Sequence, residues 1–262
     1  MLAKMNPHPR DSDIEFKEEG HTYTVHGKGG YTSCTTWVHS FFPKFNASAI
    51  IDKMMSRPDW PQSKYFGQTK QEIMKGWNDN GKIASVYGTQ MHQVIEDYYN
   101  GNIYECDKPE YKFFQRFLLD HDHLTPYRTE MRVYDETLGL SGSIDMLFMN
   151  ADGTISIFDW KFAKEIQYKN NYGKTGFGPA QELDDCNVSH YSLQLNVYRT
   201  ILERKYSCKI KEMCLVFMHR DLSDTYLKVY VPVLDMEPYF QYSPVTNPMI
   251  NTRPTKKSKA EV

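Results

Sequence analysis

Leu140-Ser-Gly-Ser-Ile-Asp145-Met-Leu-Phe-Met149 and Ile155-Ser-Ile-Phe-Asp159-Trp-Lys161 read as two β-strands joined by the tight turn Asn150-Ala-Asp-Gly153. Side chains alternate faces along a strand. Asp159 and Lys161 therefore share a face with Ile155 and Ile157, and Ser156, Phe158 and Trp160 take the other. A three-residue loop, Ala151 to Gly153, pairs Asn150 with Thr154 and sets Asp145 opposite Asp159. A two-residue loop would set Asp145 opposite Trp160, on the wrong side. Gly153 suits the left-handed position of a three-residue hairpin. The pattern predicts two carboxylates and an ammonium gathered within otherwise apolar strands. A charge there is costly unless it is paired or bound to a metal, and carboxylates are the ligands a hard divalent cation takes.

At 262 residues the chain is one large domain, or one core with additions, and it can bury a sizeable core. The formal charge of −2 and pI near 6.5 give no bulk support for nucleic-acid binding, so any phosphate contacts must be local. Tyrosine is abundant, at 19 residues, which can serve stacking as well as packing. The five cysteines, 34, 106, 186, 208 and 214, form no C-x-x-C pair, and their number is odd. That suggests a reducing compartment, with no disulfide framework and no zinc or iron–sulfur pattern. Met1-Leu-Ala-Lys-Met-Asn-Pro7 lacks the apolar stretch of a signal peptide. No run approaches the ~18 apolar residues of a membrane span. The expectation is an intracellular protein without a membrane partner; cytoplasm, nucleus and mitochondrion are not separated, nor a cellular from a viral or phage source.

Along the chain, residues 1–13 read as a loose polar lead and Ile14 to His26 as a small hairpin. Thr32-Ser33 reads as the start of a helix over Cys34 to Phe42, stopped by Pro43. Residues 48–80 read as helix broken by Pro58, Pro61 and Gly67. A helix is expected over Ala84 to Tyr99, ended by Asn100-Gly101, and another over 109–120. Strands follow at 127–134, 138–149 and 154–161. Residues 162–187 read as mobile, Ser189 to Lys205 as helix, and Glu212–His219 and Tyr226–Val233 as strands. The tail from 251 reads as disordered. This order fits an α/β fold, an α/β/α layer around a mixed sheet. An N-terminal hairpin and helical addition spans 1–83, the core 84–240 and a tail 241–262.

Other residues join the central hairpin. His92 and Glu96 lie four apart on one helix face, with Gly88 a turn earlier. Glu130 sits mid-strand in Arg128-Thr-Glu-Met-Arg-Val133. Gln194 and Tyr198 are again four apart, beside an apolar stripe. Lys164, Lys169 and Lys174 interleave with Tyr168 and Tyr172, a mixture suited to phosphates and bases of a single strand. Each has a plainer reading: an ordinary histidine, an exposed strand acid, a polar pair at the core edge, a solvated loop. Gly27-Lys-Gly-Gly30 lacks P-loop spacing. Asp120-His-Asp-His123 places its side chains on successive loop residues, which seldom converge on a metal.

In order, Gly88-x-x-x-His92-x-x-x-Glu96, Glu130, Gly142-x-x-Asp145, Asp159-x-Lys161 and Gln194-x-x-x-Tyr198 resemble the RecB-like branch of the PD-(D/E)XK nucleases, over roughly 84–200. Thr32-Ser-Cys-Thr-Thr36 and Asp159-Trp-Lys161 are similar to the mitochondrial genome-maintenance exonuclease group. The resemblance implies a restriction-endonuclease-like core. It implies Mg²⁺ or Mn²⁺ held by Asp145, Asp159, the Trp160 carbonyl and His92. Lys161 would orient or activate the attacking water, and Glu130 would lie behind the ligands or on a second ion. Glu96 would support the site, and Gln194 and Tyr198 would brace it or touch nucleic acid. The implied activity is hydrolysis of DNA phosphodiesters, foremost by an exonuclease on single-stranded or end-bearing DNA in replication, recombination or repair. An endonuclease, an RNA nuclease and a non-catalytic nucleic-acid-binding module stay open. Some relatives carry a four-Cys iron–sulfur cluster; the cysteines here are misplaced for one, and none is expected. No helicase motif is present, so a helicase or recombinase partner would be a separate protein.

Overall fold

The computed structural model describes residues 1–102 and 106–242; the expected disorder from 251 onward lies outside the described residues. Eight strands are β1 (Ile14–Lys17), β2 (Thr22–Val25), β3 (Thr32–Ser33), β4 (Thr125–Asp135), β5 (Leu140–Met149), β6 (Ile155–Lys161), β7 (Ile210–Phe217) and β8 (Leu227–Tyr230). The helices are α1 (Leu2–Met5), α2 (Cys34–His39), α3 (Ala47–Met55), α4 (Lys70–Tyr99), α5 (Pro109–Asp120), α6 (Asn187–Lys205) and α7 (Glu237–Gln241).

The main sheet is mixed and six-stranded. It runs β3-β5-β6-β7-β8, with β4 paired along β5. β4–β5, β5–β6 and β7–β8 are antiparallel; β3–β5 and β6–β7 are parallel. Helices cover both faces. Met91, Val94 and Ile95 of α4 and Tyr111, Phe114 and Phe117 of α5 pack on Met146, Phe148, Phe158 and Trp160. On the other face Val38 of α2 and Leu193, Val197 and Ile201 of α6 pack on Ile144, Leu147, Ile155 and Ile157. The spacing Met91, Val94, Ile95 is the apolar stripe of a helix lying on a sheet. Each such side chain contributes on the order of 1.5–3 kcal/mol by burial. The fold is thus α/β with helices layered on both sides of a mixed sheet.

The β5–β6 register pairs Met146 with Phe158 and Met149 with Ile155. The turn follows the loop count: the Asn150 N–H donates to the Thr154 carbonyl at 2.8 Å, and Gly153 has φ +78°. On its other long edge β5 is incompletely covered. β3 pairs with Leu140 and Ser141, and β6 with Met146 to Met149. Residues 142–145 lie between, where the sheet forks.

Three expectations need correction. α4 begins at Lys70 rather than Ala84 and crosses the 83/84 boundary. A capping box fixes its start: Thr69 Oγ1 accepts from the Glu72 N–H and a Glu72 carboxylate oxygen accepts from the Thr69 N–H at 2.7 Å. Residues 78–86 of this helix are exposed all round. The first thirteen residues are not loose. Leu2 is buried, Asn6 Nδ2 donates to the Tyr127 carbonyl, and Asp11 pairs with buried Arg128 at 2.9 Å. Within 162–187 the chain is pinned: the Phe177 N–H donates to the Phe41 carbonyl at 2.7 Å and Ala180 is buried. No helix among the described residues is long and apolar enough to cross a membrane.

Candidate functional site

The fork in the sheet coincides with a double reversal of strand alternation. Ile144 and Met146 are two apart on β5 yet pack into opposite cores. On β4, Met131 joins the α6-side core, whereas Thr129 Oγ1 accepts from Asn100 Nδ2 at the end of α4. The switch falls at Glu130 and Asp145, which face each other across the ladder without pairing. Glu130 has φ +44°. A left-handed backbone at a non-glycine residue costs on the order of 1–2 kcal/mol, and such strain gathers at functional sites. Here it turns the Glu130 and Asp145 carboxylates toward α4, where His92 waits.

His92 Nδ1 lies 3.5 Å from Asp145 Oδ2 and 3.8 Å from Glu130 Oε1. One potential ligand atom from each of His92, Glu130 and Asp145 lies within 4.8 Å of the other two. Supporting hydrogen bonds orient the carboxylates: Ser143 Oγ donates to Glu130 Oε2 at 2.7 Å and the Trp160 N–H donates to Asp145 Oδ2 at 2.9 Å. Phe162 meets the His92 ring edge-on at 5.5 Å.

Asp159 and Lys161 stand at the end of β6 as an ion pair, with the Lys161 ammonium 4.6 Å above the Tyr191 ring. Asp159 is buried, and its Oδ2 is the oxygen that meets the Lys161 ammonium. Asp159 thus joins Lys161 but is not part of the compact His92–Glu130–Asp145 group. Burial opposes the Lys161 charge, but Asp159 and Asp145 outweigh it and raise the ammonium pKa. Burial, then the negative charge of Asp159, pushes Asp145 up to about 7. Burial also raises Glu96, helped by Glu130. For Glu130 the His92 and Ser143 hydrogen bonds overcome burial and hold the carboxyl low. Burial opposes His92 protonation, but Asp145 and Glu130 raise its pKa overall.

These residues line one cleft of about 960 Å³, which includes His92, Glu96, Glu130, Asp145, Trp160 and Lys161. Gln194 and Tyr198 brace it from behind. Gln194 Nε2 donates to Thr35 Oγ1 at 3.0 Å and Tyr198 Oη at 3.2 Å, tying α6 to α2. A Cβ on Gly142 would stand 2.7 Å from Tyr198 Cε1, so this position must be glycine for the tyrosine to lie across the strand. Gly88 faces the cleft with open space where a Cβ would be. Lys164, Lys169 and Lys174 are exposed and do not line it; Lys164 lies 3.7 Å from Asp221.

The donor set fits a divalent cation. One imidazole and two carboxylates converge, the Asp159–Lys161 ion pair stands beside them, and Asp145 is held toward its neutral form. An imidazole among carboxylates suits Mn²⁺ better than Mg²⁺. Sequence reading missed Ser143, Tyr191 and the residues of the opposite cleft wall, Phe16, His21, Tyr23 and Arg132. Ser143 and Tyr191 carried a weak signal, lying two residues from Asp145 and three from Gln194.

No family model matches the chain, and no curated protein matches it. Among solved structures, it is similar to a crystal structure of SSO0001 at 10% identity and TM-score 0.34, over 82% of this chain and 73% of that one. A likeness at that level carries no argument.

Proposed function

We propose that this chain is a metal-dependent nuclease of the PD-(D/E)XK kind, RecB-like branch, hydrolysing DNA phosphodiesters at single-stranded or free ends. The observation that carries the reading is the convergence of His92, Glu130 and Asp145 within 4.8 Å, in the same cleft as Lys161. The order of motifs along the chain supports it; the comparisons add nothing.

His92, Glu130 and Asp145 would hold a Mg²⁺ or Mn²⁺ ion, with Asp159 and the Trp160 carbonyl within the same neighbourhood. When bound, such an ion lowers the pKa of a ligated water and offsets charge on the phosphate. The protein's own groups do the rest. Lys161, kept protonated by Asp159 and Asp145, presents Nζ–H donors to the phosphate oxygens as negative charge grows there. Asp159 and the Tyr191 ring hold that ammonium in place. Ser143 and the Trp160 N–H fix the Glu130 and Asp145 carboxylates, so the ligand set is arranged before binding.

The test is digestion of end-labelled linear and closed circular DNA with Mg²⁺, Mn²⁺ or EDTA. Metal-dependent shortening from ends is expected. Equal activity in EDTA, or binding without cleavage, would defeat the proposal. Cutting of circles would move it to an endonuclease, and preferential loss of matched RNA to an RNA nuclease.

A further inference from the structure

The cleft has two unlike walls. On the α4 side it is lined by small residues, Ala84, Ser85, Gly88 and Thr89. On the other side stand the rings of Phe16, His21 and Tyr23 from the β1–β2 hairpin, with Arg132 of β4. Phe16 lies 4.8 Å from His21, edge-on at 84°, and 4.7 Å from Tyr23. Tyr23 is buried, Phe16 half-buried and His21 exposed. His21 sits at φ +48° immediately after Gly20, a left-handed backbone that brings its imidazole back over Phe16. A strained ring-bearing residue in a cleft is a functional sign. The Arg132 guanidinium makes no ion pair or hydrogen bond among the described residues; it lies 5.9 Å from the Phe16 ring centre and acts on Glu96 through its charge. An exposed cation beside rings, two residues along β4 from Glu130, is uncommitted to the fold.

We infer that Phe16, His21 and Arg132 form a subsite for an unstacked nucleobase and its phosphate, next to the His92–Glu130–Asp145 group. This rests on the nuclease reading and names the part of its substrate that is gripped. A ring wall facing small residues leaves a slot for a planar base, and base stacking on aromatic side chains tolerates any sequence. Arg132 supplies a second cation, on the ring wall away from Lys161, for a neighbouring phosphate. Glu18 also lines this wall, at the exposed hairpin turn, and disfavours a second phosphate there. A base can enter only when unpaired, so the subsite selects single strands or frayed ends.

The experiment is fluorescence anisotropy of a labelled single-stranded oligothymidine with the full chain in Ca²⁺, with Mn²⁺ affinity measured alongside as a check on the metal group. His21→Ala and Phe16→Leu should each weaken binding about 5- to 100-fold while Mn²⁺ affinity holds. Arg132→Gln should weaken it and lower the salt dependence by roughly one counterion. An oligomer of abasic sites should bind the unaltered protein as weakly as the ring variants bind DNA, with no further loss in those variants. Wild-type-like binding by all three variants, or no penalty for abasic DNA, overturns the subsite while leaving the nuclease reading intact. Absence of both binding and cleavage by the unaltered protein sinks that reading itself.

Discussion

Asp145→Asn should stabilise the metal-free protein. The side chain is 13% exposed, and its carboxyl is pushed from 3.8 up to about 7, first by burial and then by Asp159. Between those values the folded state binds the proton more tightly than the unfolded one. Stability therefore falls as pH rises through this window, by about 1.4 kcal/mol for each unit of pKa difference. The full penalty is on the order of 4 kcal/mol, and about half should survive relaxation and solvent entry at the cleft. The asparagine keeps an acceptor for the Trp160 N–H but carries no charge. A gain of about 2 kcal/mol corresponds to a Tm rise of roughly 4–8 °C for a chain of this size. Thermal melts in EDTA near pH 8.5 should show it, with a smaller gain near pH 5. Mn²⁺ should raise the melting temperature of the unaltered protein and leave the variant unmoved. A variant that melts lower than the unaltered protein in EDTA at the higher pH would refute the view that Asp145 is held against its own stability.

Titration calorimetry should find Mn²⁺ affinity rising with pH through about 7, because Asp145 and His92 must both lose protons to bind; release of no proton would reject this ligand set. Lys161→Met should cut turnover at least ~100-fold with Mn²⁺ binding retained, whereas Met at 164, 169 or 174 should change it less than about threefold. Gly142→Ala should cost about 1–3 kcal/mol in chemical denaturation, since Tyr198 is buried and held by Gln194. Glu110, fully buried, accepts from Tyr87 and Arg220, and these bonds outweigh burial and hold its carboxyl below 4.5. Its stabilisation is present above that value and lost as pH falls below it, so Glu110→Gln should destabilise by about 1–3 kcal/mol near neutrality, with the gap to wild type closing in acid.

The turn of the central hairpin was legible because parity is unforgiving: loop length, Gly153 and strand alternation leave one register for Met146–Met149 on Ile155–Phe158, but the expected pairing of Asp145 with Asp159 falls in the fork, and Asp145 joins His92 and Glu130 instead. The reversal at Glu130 was not legible. Glutamate at φ +44° carries no compositional mark, and without it Glu130 would point away from His92. The start of α4 was readable in Thr69-x-x-Glu72, which caps one helix from Lys70 to Tyr99 where two were expected, one within 48–80 and one from Ala84. The lysine-rich stretch after β6 suggested a nucleic-acid contact, yet its cations stay outside the cleft. Rings from the far end of the chain line it instead, an approach only tertiary folding creates.

The bare middle of α4 has a mechanical corollary. From 78 to 83 its side chains are exposed and outside the cleft wall that begins at Ala84, and glycines at 76 and 81 soften it. His92 is anchored further along by Met91, Val94 and Ile95. Seven extra residues, two turns, would carry the α3 end outward by about 10 Å while His92 kept its bearing. Two extra residues would swing that end around the axis by more than half a circle. The span behaves as a yardstick whose phase matters more than its extent.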